Sequence, residues 1–322
     1  MALGLVISVL PLCSRTTISS PPVFRGFDAL TREGSAGEVI FIGDTQGTGS
    51  FEKVFLGRED NHDKTPLLIK EIARYKPACV LNLGDLVFRG TSRRQWEYFD
   101  AIHRPLREAG IPCFPIPGNH EYQCRPAKSF ENYFARFPQL NGRKWYSFTF
   151  QKTGFVMLDG NLCDLRRAEK ESQDIWYRQE LRRMNGDPGI LRIIVGCHFP
   201  PFTNSEIVHP DAGVETQFVP AFLDSPKAVV FFSGHCHSYE KFEKRGKYFI
   251  VSGGGGGPRQ KLRTAGEGRR FNDLYDGGSL RFLHFCRMII EPRRLVFQVV
   301  KLTEAGGFEP ADTFEVPNPR WE

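Results

Sequence analysis

The sequence predicts an α/β protein of mixed architecture, and three observations predict it. Apolar runs of strand length recur from Val39 to Val251, with helical spacing between the early ones. The later runs follow one another as hairpins. Five of the runs also end alike, in a glycine beside a residue able to bind a metal.

Those five ends carry most of the information. Val39-Ile40-Phe41-Ile42 runs into Gly43-Asp44-Thr45-Gln46, and Val80-Leu81-Asn82-Leu83 into Gly84-Asp85. Ile111 to Ile116 runs into Pro117-Gly118-Asn119-His120-Glu121, and Ile193-Ile194-Val195 into Gly196-Cys197-His198. Ala228 to Phe232 leads to Ser233-Gly234-His235-Cys236-His237, where the glycine permits a tight turn. In open α/β sheets the carboxyl ends of the strands form the ligand crevice. A single Gly-Asp after a strand is usually only a turn, and a lone His-x-His is more often structural. Five such ends together predict a dinuclear metal site.

The elements between them follow in order. Asn61 to Tyr75 has helical spacing (Leu67, Leu68, Ile72), with Pro66 early, where a helix tolerates it. Thr91-Ser92 caps a predicted helix through Ala109, stopped at Gly110. Ser129 to Phe137 reads as a short aromatic helix. Trp145 to Phe150 and Phe155 to Leu158 read as a hairpin turning at Lys152-Thr153-Gly154. Ser172 to Met184 is an amphipathic helix ended by Asn185-Gly186-Asp187-Pro188-Gly189. A helix near Gln217 to Leu223, a strand Lys247 to Ser252, and two final strands, Leu280 to Ile290 and Arg294 to Leu302, complete the core.

Composition narrows the class. In 322 residues, 40% hydrophobic and 13% aromatic content with 28 phenylalanines supports a packed core and argues against disorder. The net charge of +6 suits an anionic substrate but is equally an ordinary basic surface. No basic run interleaved with aromatics points to a dedicated nucleic-acid partner. The eight cysteines show no metal-finger spacing. Cys79, Cys197 and Cys236 read as core residues, while Cys124 and Cys163 fall in loops and could pair in an oxidising compartment. Residues 1–37 read as a signal- or tether-like segment before a single domain, 38–322. Met1 to Leu12 is apolar but too short to span a membrane. It lacks a basic n-region, and Leu12 fits poorly before Cys13, the candidate lipid anchor. An exported or anchored protein and a cytoplasmic one both remain open.

The series Gly-Asp, Gly-Asp, Gly-Asn-His-Glu, His, Gly-His-x-His resembles the calcineurin-like metallophosphoesterase superfamily, over roughly residues 38–260. Tyr248 to Ser252 followed by Gly253 to Gly257 is similar to the purple-acid-phosphatase-like branch. The resemblance implies two mixed β-sheets packed as a sandwich and flanked by helices, with the site at the strand ends. It also implies two divalent or trivalent ions. Asp44, Asp85 and His237 would hold one, and Asp85, Asn119, His198 and His235 the other, with Asp85 bridging. Oxygen and nitrogen ligands of this kind suit Mn, Fe or Zn. Such a pair clamps the phosphoryl oxygens and acidifies a bridging water, so the implied reaction is in-line attack of a metal-bridging hydroxide on a phosphate ester. Asn119 and His120 would face the substrate, with His120 stabilising the transition state or protonating the leaving oxygen. Glu121 is expected to orient an imidazole.

The sequence departs from the pattern at Gln46, where most of the superfamily has a histidine ligand. The purple acid phosphatases instead have a tyrosine three residues after the bridging aspartate, and here that position is Phe88. Gln46 is therefore a candidate fourth ligand through its amide oxygen, a weaker one, and no red tyrosine-to-iron chromophore is expected. Tyr239 and Asn161 are lesser candidates for the pocket lining. The glycines from 253 to 257 either pass backbone close to the metals or form a plain turn. His62, His103, His209 and His284 fit no motif and read as core or surface residues. The alternative to an esterase is a non-catalytic phosphate- or metal-binding protein on the same fold. Specificity is expected in three loops, Thr48 to Asp63, Thr203 to Glu215 and Pro258 to Gly278.

Overall fold

The structure, a computed structural model, describes residues 20–31, 37–266 and 268–319. The apolar start and Cys13 lie outside the described residues. The chain runs β1 (Glu38–Ile42), α1 (Ser50–Phe55), α2 (Thr65–Tyr75), β2 (Cys79–Asn82), α3 (Arg93–Ile102), α4 (Arg104–Glu108) and β3 (Cys113–Pro115). It continues with α5 (Asn119–Tyr122), α6 (Pro126–Arg136), β4 (Tyr146–Phe150), β5 (Thr153–Leu158), α7 (Arg167–Gly186) and β6 (Arg192–Cys197). Then come α8 (Ala212–Gln217), α9 (Val219–Asp224), β7 (Ala228–Ser233), β8 (Tyr239–Lys244) and β9 (Lys247–Ser252). Three strands close the described chain: β10 (His284–Ile290), β11 (Arg294–Leu302) and β12 (Phe308–Pro317).

These strands form two six-stranded sheets, ordered β12-β11-β10-β1-β2-β3 and β4-β5-β6-β7-β9-β8. Both are mixed. β1, β2 and β3 run parallel and join β10 antiparallel. In the second sheet β5, β6, β7 and β9 are parallel, with antiparallel neighbours at both edges. The near-continuous apolar runs of β1, β6 and β7 are fully buried, as central parallel strands require. Phe41 of β1 stacks on Phe232 of β7 with ring centroids 3.9 Å apart, so the sheets pack face to face. The parallel strands of both sheets end at the same edge of this sandwich, and the five glycine-bearing turns meet there.

Several elements differ from the sequence reading for identifiable reasons. The helix expected from Thr91 to Ala109 is two, broken at His103, because Pro105 has no N–H to continue the ladder. Ser92 does cap the first, accepting from the Gln95 amide. The β4–β5 turn is Gln151-Lys152, both at positive φ, as a two-residue hairpin demands. Thr153 and Gly154 consequently belong to β5. β12 went unread because it is a mostly exposed edge strand containing Pro310 and ending at Pro317. Residues 24 to 27, assigned to the N-terminal segment, lie against the domain: Phe24 stacks on Phe137 and Phe27 on Phe114.

Candidate metal centre

Three of the donor residues sit in left-handed backbone: Asp44 (φ 59°), Asp85 (φ 55°) and His235 (φ 66°). Such conformations are costly for side-chain-bearing residues and mark sites where the surroundings enforce them. Here the enforcement is hydrogen bonding between turns. Asp44 N donates to Gly84 O at 3.0 Å, Gln46 N to Asp85 O at 3.1 Å, and Gly234 N to His198 O at 2.9 Å. The glycines permit the close approach. A Cβ at Gly84 would lie 2.7 Å from His198 Nδ1, and one at Gly257 would lie 2.6 Å from His237 Nδ1. The glycine run therefore does pass its backbone beside the site, with Gly255 N on Gly43 O and Gly257 N on Asp44 O.

The side chains gather into two groups. One ligand atom from each of Asp85, His198 and His235 lies within 4.8 Å of the others, and so do those of Asp44, Asp85 and His237. Asp85 belongs to both. Asn119 joins the first group, its Oδ1 3.2 Å from His198 Nε2. Gln46 joins the second. With its amide nitrogen donating to the Asp44 and Asp85 carbonyls, its oxygen lies 3.2 Å from His237 Nε2. His120 stands at the edge, its Nε2 3.8 Å from Asp85 Oδ2.

Backbone carbonyls fix the imidazoles. His198 Nδ1 donates to Leu83 O at 2.7 Å, His237 Nδ1 to Pro258 O at 2.8 Å and His120 Nδ1 to Phe88 O at 2.6 Å. A carbonyl can only accept, so in each neutral ring the lone pair is on Nε2, facing the site. In the second group the Asp44 carboxylate and the Gln46 oxygen both face His237 Nε2, at 3.5 and 3.2 Å, and Nε2 turns its lone pair to the same point when the ring is neutral. In the first, Asp85 Oδ2 and Asn119 Oδ1 lie 3.3 and 3.2 Å from His198 Nε2, which presents its lone pair there once its proton is exchanged for a cation. Asp44 and Asp85 also accept the backbone N–H of His235 and His120, which holds each carboxylate in place. Buried carboxylates, amide oxygens and imidazoles converging in this way are a donor set for cations, and the residues fit a pair of metal ions. Cys236 belongs to neither donor group, and burial pushes its thiol well above the usual range.

The electrostatics agree. Burial opposes ionisation of Asp85, yet His198 and His120 hold its carboxyl well below the ordinary range. Burial pulls His198 down, but Asp85 outweighs it and pushes the imidazole up to about 9. Burial, reinforced by His198, drives His235 down to about 3. Burial raises Asp44, with His237 partly offsetting it. Strongly perturbed groups of both signs in one place are the signature of a functional site.

Other candidates are placed elsewhere. Glu121 touches no imidazole; its carboxylate accepts from the backbone of Gly118 (2.8 Å), Asp85 (3.0 Å) and Leu86 (2.9 Å), clamping two of the turns. Tyr239 is buried on Asp312, and Asn161 donates to Asp159 and to Pro117 O, bracing the turn before Asn119. His103 and His284 are buried, His62 stacks on Tyr98, and His209 meets Arg270. Cys124 and Cys163 are exposed and unbonded. The sequence reading missed the carbonyls that set the tautomers, because a backbone group carries no residue-type signal.

The fold and this donor set define a class, an α/β sandwich of two mixed sheets with a carboxylate–imidazole cluster at its strand ends. The family model of calcineurin-like phosphoesterases matches residues 37–239, and the chain belongs to that family. Purple acid phosphatase 15 of Arabidopsis thaliana is 27% identical over 188 residues, 53% of this chain and 34% of its own. Purple acid phosphatase 23 of the same plant is 26% identical over 182 residues, 54% and 38% respectively. The chain thus spans little more than a third of these curated relatives. Among solved structures, a dimetal phosphatase from Danio rerio aligns with TM-score 0.61 at 14% identity, covering 87% of this chain and 98% of that one. Purple acid phosphatase PPD1 from yellow lupin seeds aligns at 0.62 and 15%, covering 88% and 55%. GAP50, the anchor in the inner membrane complex of Plasmodium, also aligns at 0.62 and 15%, covering 88% and 89%. These structural likenesses show the fold.

Proposed function

We propose that the chain is a dinuclear metal-dependent phosphoesterase, and the observation that carries the reading is Asp85 shared between two convergent donor groups. When bound, two ions of the Mn, Fe or Zn type neutralise phosphoryl charge and acidify a water for in-line attack. Asp44, Gln46, Asp85 and His237 would hold one, and Asp85, Asn119, His198 and His235 the other. His120 needs no metal in this arrangement. Its Nδ1 is tied to Phe88 O, so Nε2 is aimed across the site next to Asp85 and, when protonated, can give its proton to the departing alkoxide. Glu121 keeps the Asp85 and Gly118 turns in register, which positions the bridging carboxylate against Asn119 and His120.

The test is hydrolysis of p-nitrophenyl phosphate and of its bis-ester with added Mn, for wild type and Asp85→Ala. Turnover abolished in Asp85→Ala supports the reading, and the ratio of the two substrates assigns a mono- or diester preference. No turnover with Mn, Fe or Zn, together with fewer than two bound metal equivalents, would favour a binding protein on the same fold.

A further inference from the structure

β5 ends in Leu158-Asp159-Gly160-Asn161, a strand end of the same kind as the five that supply donors, yet Asp159 belongs to neither donor group. Its carboxylate is fully buried all the same, and a buried carboxylate has to be held by hydrogen bonds. Oδ1 accepts from Asn161 N at 3.1 Å and from Asn161 Nδ2 at 2.9 Å, and Oδ2 accepts from the Tyr122 hydroxyl. Gln173 of α7 fixes the backbone of the same residue. Its Oε1 accepts from Asp159 N at 2.8 Å, and its Nε2 donates to Asp159 O at 2.9 Å. The carboxylate is therefore a fixed point to which Asn161 and Tyr122 are tied.

Both partners lead to one short segment. Tyr122 is the last residue of α5, and Asn161 Nδ2 also donates to Pro117 O at 3.1 Å. Between Pro117 and Tyr122 lie Gly118, Asn119, His120 and Glu121. Asn119 and His120 are thus held from one side through Asn161 and from the other through Tyr122, and both ties end on Asp159. Glu121 fastens the same segment to the Asp85 turn, within the first sheet. Asp159 fastens it to the second. β5 pairs with β6 so that Leu158 stands opposite Cys197, which puts Asp159 level with His198. His198 and Asn119 follow strands of different sheets, yet their Nε2 and Oδ1 lie 3.2 Å apart in one donor group.

We infer that Asp159 is a positioning residue, which sets Asn119 against His198 and so shapes the metal position that these two share with Asp85 and His235. The inference rests on the dinuclear reading and adds to it a residue that touches neither ion nor substrate. Among the described residues no hydrogen bond joins Asp159 to Asp44, Gln46 or His237, and Glu121 holds the Asp85 turn independently. Loss of the Asp159 ties therefore falls on one metal position and spares the other.

The experiment is calorimetric titration of Mn into wild type, Asp159→Ala, Asp159→Asn and Tyr122→Phe. Asp159→Ala and Tyr122→Phe should each weaken one of two equivalents by roughly ten- to a hundredfold and leave the other unchanged. Tyr122→Phe keeps the ring and loses only the hydroxyl, so it carries the test if Asp159→Ala does not fold. Asp159→Asn keeps an oxygen for Asn161 and turns its amide to the Tyr122 oxygen, so it should bind both equivalents like wild type. Two backgrounds show which position responds. In His237→Ala the remaining equivalent should weaken when Tyr122→Phe is added, and in His235→Ala it should not. Wild-type affinities in both Asp159→Ala and Tyr122→Phe overturn the inference and leave the dinuclear reading standing. Equal weakening of both equivalents, or a response in the His235→Ala background, reduces Asp159 to a general fold residue and also overturns it. Fewer than two equivalents bound by wild type removes the dinuclear reading and this inference with it.

Discussion

At the scale of single residues, Gln46 sets this site apart. Its amide oxygen is uncharged and a weaker donor than the imidazole most of the superfamily has there, and it lies 3.2 Å from His237 Nε2. Gln46→Ala should therefore weaken one of two metal equivalents by roughly ten- to a hundredfold, and Gln46→His should tighten the same one. Calorimetric titration with Mn resolves the two sites. Equal affinities in wild type and Gln46→Ala would show that the amide is no ligand. Repetition made the donors legible in the sequence: one carboxylate, amide or imidazole just after a buried strand is usually structural, but five such strand ends in one chain are not. Glu121 was misread for the opposite reason. Its three partners are backbone N–H groups from two turns, and only folding brings them to one carboxylate.

At the scale of elements, turns depend on strands they do not adjoin in sequence. β8 supplies Glu240, fully buried, which accepts from Thr203 Oγ1 at 2.6 Å and Asn204 N at 2.7 Å and so holds the loop after β6. Burial pushes its carboxyl up to about 7, with those hydrogen bonds only partly offsetting the effect. In the folded state Glu240 keeps its proton between about 4.5 and 7, where the unfolded chain has lost it. Its contribution is thus fully present below pH 4.5 and disappears as the pH rises through 7, a decline of up to about 3 kcal/mol. Glu240→Gln never ionises, so its thermal stability should fall less than that of wild type between pH 4.5 and 8. Parallel melting curves for the two proteins across that range would sink the argument. Neither β8 nor β12 was read from sequence, because both begin or continue in polar residues whose burial is decided by the neighbouring strand. The buried parallel strands β1, β2, β6 and β7 were legible because nothing but an apolar run survives in the middle of a covered sheet.

At the scale of the molecule, the donor set joins two sheets that meet elsewhere through apolar packing such as Phe41 on Phe232 and polar contacts such as Tyr239 on Asp312. Asp44, Asp85 and Asn119 come from the ends of strands in one sheet, and His198, His235 and His237 from the other. The family resemblance implied two mixed sheets, but which strand belongs to which was not legible, since periodicity cannot say which runs pair. Ions held across the two sheets should couple to global unfolding, since the unfolded chain offers no such preformed set. At a hundredfold excess over its Kd, each ion adds about 2.7 kcal/mol, and two should raise Tm by several degrees. Differential scanning calorimetry with Mn, then with excess chelator, should show a rise and its reversal. In Asp85→Ala most of the response should vanish, because the residue shared by both groups is gone. A full rise in that variant would mean that the two groups bind independently, and that Asp85 bridges nothing.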